Sequence, residues 1–357
     1  MFSARETEKQ CWEQVYMVTI KDMAEKLGVS TTTVSNVING KTSEVSQKTV
    51  ERVNELLKES GYVPNINARN LAQNYSKIIG VALKGRKDKY ENIFADPFHS
   101  ELLGAIEAVI RANGYFMMIY TSEDINEIMG HVAGWNVAGL ILIGMLHDDY
   151  VRIRSRYKRP VVLIDSYTPR NVAKYVNIGL EDEEGAYLMT KYLLDCGHRK
   201  IAFLADNMEG VDYIRYTGHQ RAFEEYGLPV NLDDLIVICP GEGVRQNNME
   251  EIYECSHNYT AFVCCSDYYA VILMNFLREK GVRIPEDLSI TGFDDNLFAR
   301  IVRPALTTIR QDVSEKGKLA VEYLIRLLDG EKLKETNVRL PVELVVRDSV
   351  KNLNTES

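Results

Sequence analysis

The stretch TIKDMAEKLGVSTTTVSNVING, residues 19–40, decides the fold of the first part of the chain. Thr19 can cap a helix whose apolar residues recur every three or four positions, and Ser30 can cap a second helix after a turn at Gly28. The closing Asn-Gly pair ends the second helix, and a third helix is predicted from Ser46 to Gly61. Three short helices joined by a glycine-containing turn are typical of a helix-turn-helix DNA-binding module.

Charge is distributed unevenly along the 357 residues. The chain has 42 Lys and Arg against 51 Asp and Glu, a net charge of −9 that by itself argues against a nucleic acid partner. Between Val18 and Lys77, however, eight basic residues outnumber six acidic ones, and the residues after Lys77 carry a net charge of −10. A weakly basic first part and a strongly acidic remainder are expected of a DNA-binding module attached to a body that does not bind DNA.

Beyond Pro64 the pattern changes to alternating strands and helices. Amphipathic stretches such as Ser100–Asn113 and Glu183–Cys196 separate short apolar runs. Strands are predicted at Ile78–Leu83, Tyr115–Tyr120, Gly139–Ile143, Val161–Ile164, Ile201–Leu204, Leu235–Cys239, Ala261–Cys265 and Leu288–Gly292. This alternation predicts an α/β body of open, doubly wound parallel sheets with helices on both faces. The strands are too many for one sheet of usual size, so we expect two sub-domains.

The sequence also argues against several other classes of protein. No stretch approaches the ~20 apolar residues that a membrane helix needs, and the N-terminus lacks the features of a secretory signal. We therefore expect no membrane partner and a cytoplasmic location. The six cysteines have no CxxC spacing, so no disulfide, metal site or cofactor is predicted. No strand precedes a P-loop, GxSxG or GxGxxG motif, which argues against an enzyme.

Three segments resemble the lactose-repressor family of bacterial transcription regulators. They are the stretch at residues 19–40, the run GYVPNINARNL at residues 61–71 and, more diffusely, Arg347-Asp348-Ser349. The resemblance implies a helix-turn-helix head-piece and a two-lobed, periplasmic-binding-protein-like body. The chain is then expected to cross three times between the lobes, with a small-molecule effector such as a sugar in the cleft. It also implies a homodimer that binds double-stranded operator DNA as a transcription repressor.

The pattern and the resemblance together divide the chain into five segments. Residues 1–16 have no periodicity, and we expect them to be a disordered extension, with translation starting at Met17. The DNA-binding domain is predicted at residues 17–63, the hinge helix or linker at 64–76, the effector-binding and dimerisation domain at 77–349, and a tail at 350–357. The first lobe is expected at about 77–165 and 296–328, and the second lobe at about 166–295 and 329–349.

The candidate DNA contacts lie mostly on the second helix. Thr31, Thr32 and Asn36 share one face near its N-terminus, where helix-turn-helix proteins reach base edges in the major groove. The family usually has Arg in place of Asn36, and Asn pairs with adenine where Arg prefers guanine. Thr19, Lys21, Thr33 and Ser35 are expected to contact phosphates and fix the register, and the remaining candidate DNA contacts are Ser30 and Asn39.

Residues 65–71 resemble the family's hinge helix, which is ordered when two subunits lie side by side on DNA. Its candidate contacts are Asn65, Ala68, which permits close approach, and Leu71, which corresponds to an apolar side chain inserted into a minor-groove step. A segment of this length cannot form a stable helix alone in water, and its folding can therefore be coupled to DNA binding. The alternative is a plain linker after the third helix.

Three aspartates follow predicted strands, where two-lobed bodies place their ligands. They are Asp165, Asp267 and Asp294, and we expect all three to face one cavity. The resemblance implies that Asp294 binds effector hydroxyls. The alternative for Asp294 is that it only caps the following helix.

Four further candidates come from the resemblance. Arg215 falls where the family places an effector-binding Arg, and a guanidinium opposite a carboxylate suits adjacent sugar hydroxyls. Phe98 or His99 is implied to supply a ring for an apolar sugar face, and Ser266 stands where the family commonly has Asn. Arg215 could instead pair with a surface carboxylate, and His99 could be an ordinary rim histidine.

Two other functions stay open from the sequence alone. A solute-binding protein of transport or chemotaxis would share the two-lobed body, but it should carry a signal peptide and lack residues 19–71. A regulator controlled by a protein co-effector would share every segment. Only binding data separate that regulator from one controlled by a sugar.

Overall fold

The computed structural model of the chain describes residues 18–60, 62, 76–86, 89, 92–166 and 175–355. It divides into two compact units, residues 1–74 and 75–357. The predicted disordered extension at residues 1–16 and the hinge candidates Asn65, Ala68 and Leu71 lie outside the described residues, so those predictions stay predictions.

The described part of the first unit is built from three helices. They are α1 at Ile20–Leu27, α2 at Thr31–Ile38 and α3 at Gln47–Ser60. Gly28 ends α1 with φ 66°, a left-handed conformation that glycine adopts at least cost, and the turn brings α1 and α2 into a helix-turn-helix. The side chains that form its small buried core are Met23, Ala24, Val34, Val37, Val53 and Leu56.

Within its described residues, the body contains two six-stranded sheets. In chain order the strands are β1 (Ile78–Lys84), β2 (Phe116–Ser122), β3 (Gly139–Ile143), β4 (Val161–Ile164), β5 (Val176–Leu180), β6 (Ile201–Ala205), β7 (Leu235–Val237), β8 (Ala261–Cys264), β9 (Ser289–Asp294), β10 (Thr307–Arg310), β11 (Asn337–Leu340) and β12 (Glu343–Val345). The first sheet has the order β11-β5-β4-β3-β1-β2 and is parallel throughout. The second sheet has the order β12-β10-β9-β8-β6-β7 and is parallel except that β12 pairs antiparallel with β10.

Helices cover both sheets, as expected of a doubly wound body. In chain order they are α4 (Pro97–Ala112), α5 (Ile125–Gly134), α6 (His147–Arg156), α7 (Asp182–Asp195), α8 (Gly210–Glu225), α9 (Glu242–Ser256), α10 (Asp267–Glu279), α11 (Leu297–Ile301) and α12 (Val313–Leu328). The helices α4 and α12 pack together on the first sheet, and α7 packs against α8 beside the second sheet. Among the described residues, no helix is long and apolar enough to cross a membrane.

Each sheet with its helices forms one lobe, and the chain crosses between them after β5, after β10 and after β11. The first lobe thus holds the described residues of 76–180 and 313–340, and the second lobe holds residues 181–310 and 343–355. These crossings fall about twelve to sixteen residues later than the lobe boundaries expected from the sequence, which were wrong. The physical reason is that each of the three crossings follows a completed strand, and none of these strands, which are β5, β10 and β11, was predicted.

Strands β5, β10, β11 and β12 were missed because they lack a long apolar run. β10 reads TTIR and β11 reads NVRL, so polar residues interrupt the pattern that marks the other strands. β5 contains Asn177 and Gly179, although every residue of it is buried. The eight predicted strands all form, with ends that shift by at most two residues.

Candidate functional site

Several predicted DNA-contacting side chains act as helix caps in the first unit. The Thr19 hydroxyl donates to Asp22 Oδ2 at 2.8 Å, and the Asp22 backbone N–H donates to Thr19 Oγ1 at 3.3 Å. The Thr33 backbone N–H donates to Ser30 Oγ at 3.0 Å, and the two hydroxyls share a further hydrogen bond of 2.8 Å. These bonds satisfy backbone N–H groups at the starts of α1 and α2. Lys21 is exposed in the first turn of α1.

The N-terminus of α2 presents two of the residues predicted to contact bases. Thr31 and Thr32 are exposed in its first turn, and Asn36 is half-buried about one turn later. At the other end, the Asn39 side-chain amide donates to the Ser35 carbonyl at 2.8 Å and to Ser35 Oγ at 3.3 Å, which closes the helix. Exposed hydroxyls at the positive end of a helix dipole make a surface suited to DNA.

A cavity of about 630 Å³ lies between the two lobes of the body. Two of its lining residues are Asp165, directly after β4, and Asp294, at the end of β9. Both have positive φ, 52° and 127° respectively. Such backbone conformations cost about 1–3 kcal/mol outside glycine and concentrate at binding sites. Their position at strand ends and their strain make these two aspartates candidates for a ligand site.

A buried chain of hydrogen bonds joins the two aspartates. Lys316 on α12 donates to both carboxylate oxygens of Asp165 at 2.9 Å and to Gln311 Oε1 at 2.7 Å. The Gln311 side-chain amide in turn donates to Asp294 Oδ1 at 2.6 Å. Burial raises the pKa of Asp165, and the charge of Lys316 opposes that shift. Because Gln311 lies where the chain crosses after β10, the bonds run from the first lobe to the second.

Arg215 on α8 lies on the second lobe's side of the cavity. Its Nε donates to Asp182 Oδ1 at 2.8 Å, its Nη1 donates to the Cys265 carbonyl, and its guanidinium lies 3.5 Å from the centroid of the Phe293 ring. Burial raises the pKa of Asp294 to about 7, although the nearby Arg215 lowers it. Arg215 is therefore paired inside the protein, but with a buried carboxylate and not with a surface one.

A second ionic cluster joins the lobes around Asp206, which follows β6. Lys89 Nζ lies 2.9 Å from Asp206 Oδ2, and Arg86 Nη1 lies 3.8 Å from Asp206 Oδ1. The Tyr269 hydroxyl donates to Asp206 Oδ2 at 2.6 Å. Burial would raise the pKa of Asp206, but Lys89 and Tyr269 lower it to about 2. Burial and the charge of Asp206 raise the pKa of the neighbouring Asp212 to about 6.

The cavity brings together six of the predicted effector residues among those the structure describes. These are Phe98, His99, Asp165, Arg215, Ser266 and Asp294. Phe98 and His99 pack edge to face with ring centroids 5.2 Å apart, and His99 Nδ1 bonds to Asp96 Oδ2 at 2.7 Å. Ser266 also caps α10 by accepting a hydrogen bond from the Tyr269 backbone N–H at 3.4 Å.

Asp267 does not line the cavity, contrary to the prediction that all three aspartates face it. Its carboxylate is fully buried, where it accepts hydrogen bonds from the Thr308 hydroxyl at 2.6 Å and the Asn296 backbone N–H at 2.9 Å. Burial raises its pKa well above the usual value. A Cβ on Gly292 would lie 2.3 Å from Asp267 Oδ1, so the glycine admits this carboxylate into the sheet. Asp267 therefore ties β10 to the loop before α11.

Sequence reasoning missed Asp206, Lys316 and Gln311. Asp206 directly follows a predicted strand, so the rule that selected Asp165 could have found it. Lys316 belongs to the buried face of an amphipathic helix, and a lysine in that position signals a buried partner. Gln311 carries no such signal, because its contacts depend on where the chain crosses between lobes. In the described part of the chain, no cluster of His, Cys, Asp and Glu could hold a metal ion.

A helix-turn-helix unit followed by a two-lobed body with a ligand cavity defines a class of ligand-responsive DNA-binding regulators. Residues 19–65 match the family model of bacterial regulatory proteins, lacI family, and residues 190–350 match that of the periplasmic binding protein-like domain. The chain is 32% identical over 351 residues to the HTH-type transcriptional repressor PurR of Pasteurella multocida, which covers 94% of this chain and 99% of the relative. The chain belongs to the lacI family of bacterial regulatory proteins, and it is a DNA-binding transcription regulator and not an enzyme.

Solved structures are similar along the chain. The lac repressor dimer bound to operator and the anti-inducer ONPF has a TM-score of 0.79 and 27% identity, covering 94% of this chain and 99% of the repressor chain. A LacI family transcriptional regulator from Enterococcus faecium with bound ribose has a TM-score of 0.65 and 25% identity, covering 77% of this chain and 99% of its own.

Proposed function

We propose that this regulator is a dimeric, cytoplasmic repressor that binds a pseudo-palindromic operator and responds to a sugar in the cavity between its lobes. The observation that carries the proposal is the convergence of Asp165, Asp294 and Arg215, from both lobes, on a cavity of about 630 Å³. That volume lies within the usual range of small-molecule sites. A cytoplasmic location follows from an operator on chromosomal DNA.

On the DNA side, we assign base contacts to Thr31, Thr32 and Asn36. Their helix begins with a Ser30 cap and no acidic residue in its first turn, so its positive end can approach a polyanion. Phosphate contacts are assigned to Lys21 and to the capping hydroxyls, since a capping oxygen that accepts from backbone N–H can still donate to phosphate. The predicted hinge residues Asn65, Ala68 and Leu71 complete the proposed interface.

On the effector side, we assign a sugar because two kinds of group in the cavity suit one. Carboxylates such as Asp294 accept hydrogen bonds from hydroxyls, and the aromatic ring of Phe98 can cover an apolar sugar face. The similar regulator from Enterococcus faecium holds ribose, and a lac repressor structure holds ONPG in the repressed state.

The proposed control is a population shift between two orientations of the lobes. A sugar that contacts both lobes favours the orientation in which both sets of contacts form. If it binds one orientation about 100-fold more tightly, it shifts the balance by roughly 2.7 kcal/mol. A shift of that size is sufficient to alter how two subunits present their DNA-binding units to one operator.

The experiment combines an operator with an effector screen. Operator duplexes are selected from random DNA with the full chain, and sugars are screened by thermal shift. Asp294→Ala should keep operator affinity within about twofold yet lose the sugar response, because it removes an effector contact and no DNA contact. Asp329→Ala, which changes an exposed carboxylate at the end of α12, is the matched control. An unchanged sugar response of Asp294→Ala would remove this residue from the site.

The DNA assignment has its own test. Thr32→Ala should lower affinity for the selected operator more than affinity for random DNA, because a base contact carries sequence information. Lys21→Ala should weaken both alike and reduce the slope of log K against log salt by about one. If Thr32→Ala weakens both kinds of DNA equally, Thr32 contacts the backbone and not a base.

A further inference from the structure

The charges that line the cavity are unbalanced. Among the described lining residues, six carboxylates outnumber four cationic side chains, which are Lys84, Arg86, Lys89 and Arg215. Lys316 lies beyond the lining and is bound to Asp165 and Gln311. A ligand in this cavity therefore meets more carboxyl groups than cationic groups.

Each of the four cations already has a carboxylate partner. Lys84 Nζ lies 2.6 Å from Asp149 Oδ2, and Arg215 Nη2 lies 2.8 Å from Asp182 Oδ1. Lys89 and Arg86, two of the cations in the segment after β1, both contact Asp206. Clustered cations of this kind would be the natural site for a phosphate or carboxylate group of a ligand. Here the protein supplies that anion itself.

Asp206 is held firmly in this position. Its side chain is 1% exposed, and the Tyr269 hydroxyl donates to the same oxygen that Lys89 contacts. Its pKa of about 2 keeps it charged at neutral pH. An anionic group on a ligand would have to displace this carboxylate and would then lie near Asp212, which also lines the cavity.

We infer that the effector is a polyhydroxyl compound without a phosphate or carboxylate group, and that Asp206 excludes anionic sugars by occupying the cations that would bind them. The inference rests on the proposed function, since it concerns the effector of the same cavity. Hydroxyls fit the site because carboxylates only accept hydrogen bonds and hydroxyls donate them. Asp206 is thus a specificity-determining residue, although sequence reasoning did not select it.

The first test compares matched ligand pairs on the wild-type full chain by thermal shift and calorimetry. The pairs are ribose with ribose 5-phosphate, glucose with glucose 6-phosphate, and glucose with glucuronate. The uncharged member of at least one pair should bind at least about tenfold more tightly than its anionic counterpart. Tighter binding of an anionic member would overturn the inference and leave the sugar-effector proposal standing. If no sugar binds, either among these pairs or in the wider sugar screen, the sugar-effector proposal itself fails.

The second test does not depend on knowing the effector, because its probe is inorganic phosphate. Asp206→Asn removes the carboxylate charge that Lys89 and Arg86 contact, so this variant should gain phosphate binding of at least about tenfold over the wild type. Adding Lys89→Ala should remove the gain. Asp329→Asn changes the net charge equally at an exposed position and should show no gain. Phosphate binding by the wild type as tight as by Asp206→Asn would overturn the role of Asp206.

Discussion

Lys316→Met removes the donor at the centre of the hydrogen-bond chain beneath the cavity. Methionine keeps an unbranched apolar stem of similar length but carries no ammonium group. Both oxygens of Asp165 and the amide oxygen of Gln311 then lose donors that lie at 2.7–2.9 Å. The Lys316 side chain is 1% exposed and that of Asp165 is 14% exposed, so water replaces the lost bonds poorly. Breaking a buried ion pair on one side costs about 3–5 kcal/mol, and we expect the free energy of unfolding to fall by that amount.

The loss should depend on pH, because the remaining carboxyl group can be protonated. Burial raises the pKa of Asp165 and Lys316 opposes the shift, so removing the lysine raises that pKa further. For an acid whose pKa is raised on folding, ionisation costs stability as the pH rises above the unfolded value of about 3.9. Lys316→Met should therefore be closer to the wild type at about pH 5.5 than at about pH 8.

The assay is urea unfolding followed by circular dichroism at both pH values. Lys318→Met is the matched control, because Lys318 lies on the same helix with its side chain 50% exposed and its Glu315 partner 3.5 Å away, a contact worth under about 1 kcal/mol. Adding Asp165→Asn to Lys316→Met should recover part of the loss by removing the unpaired charge. A loss no larger than that of the control, or one that is equal at the two pH values, would refute the reasoning.

Three further changes have outcomes set by local geometry. Gly28→Ala should destabilise the first unit by about 1–2 kcal/mol, because φ is 66° and alanine adopts this conformation at a cost, although no atom lies within 4 Å of the added Cβ. Gly28→Asn should lose less stability in thermal unfolding, because asparagine tolerates the left-handed conformation better. An equal loss for both variants would point to steric contacts of the side chain instead. Gly218→Ala should lower the free energy of unfolding in urea by about 3 kcal/mol or more, because the added Cβ would lie 2.0 Å from the Glu183 carbonyl oxygen and force α7 and α8 apart. A loss under about 1 kcal/mol would mean that the two helices separate easily. Asp294→Asn should raise the melting temperature of the unliganded protein more at about pH 8 than at about pH 5. Burial raises the pKa of Asp294 to about 7, so its carboxyl group destabilises the fold once it ionises at higher pH. Equal shifts of the melting temperature at the two pH values would contradict that ionisation.

Local sequence signals predicted the first unit well because its structure is determined locally. The caps at Thr19 and Ser30 and the left-handed turn at Gly28 each depend on residues within four positions along the chain. A side chain that caps a helix meets its partner whatever the rest of the chain does. Burial on both faces likewise leaves a continuous apolar run in central strands such as β3 and β4, which the sequence pattern detects.

The lobe boundaries and much of the cavity could not be predicted in this way, because they depend on contacts between residues far apart in sequence. Strand β10 is polar in sequence, yet Thr307 and Thr308 are fully buried because Ser349 and Asp267 supply their hydrogen-bond partners. Those partners lie about forty residues away. The prediction for Asp267 failed for a different reason. Asp267 does follow a strand, but its carboxylate packs against Gly292 within the sheet and does not line the cavity. The position of a residue after a strand does not indicate in which direction its side chain lies.

Gln311 connects the proposed effector site with the geometry of the lobes. It lies between β10 of the second lobe and α12 of the first, where any change in the angle between the lobes must alter backbone dihedrals. Its side chain accepts from Lys316 at 2.7 Å and donates to Asp294 at 2.6 Å, and both bonds survive only within a narrow range of angles. A ligand that contacts Asp294 acts on the same carboxylate, so its binding energy differs between orientations that keep the Gln311 bond and orientations that break it. A difference of that kind is what any effector needs in order to shift a two-state equilibrium.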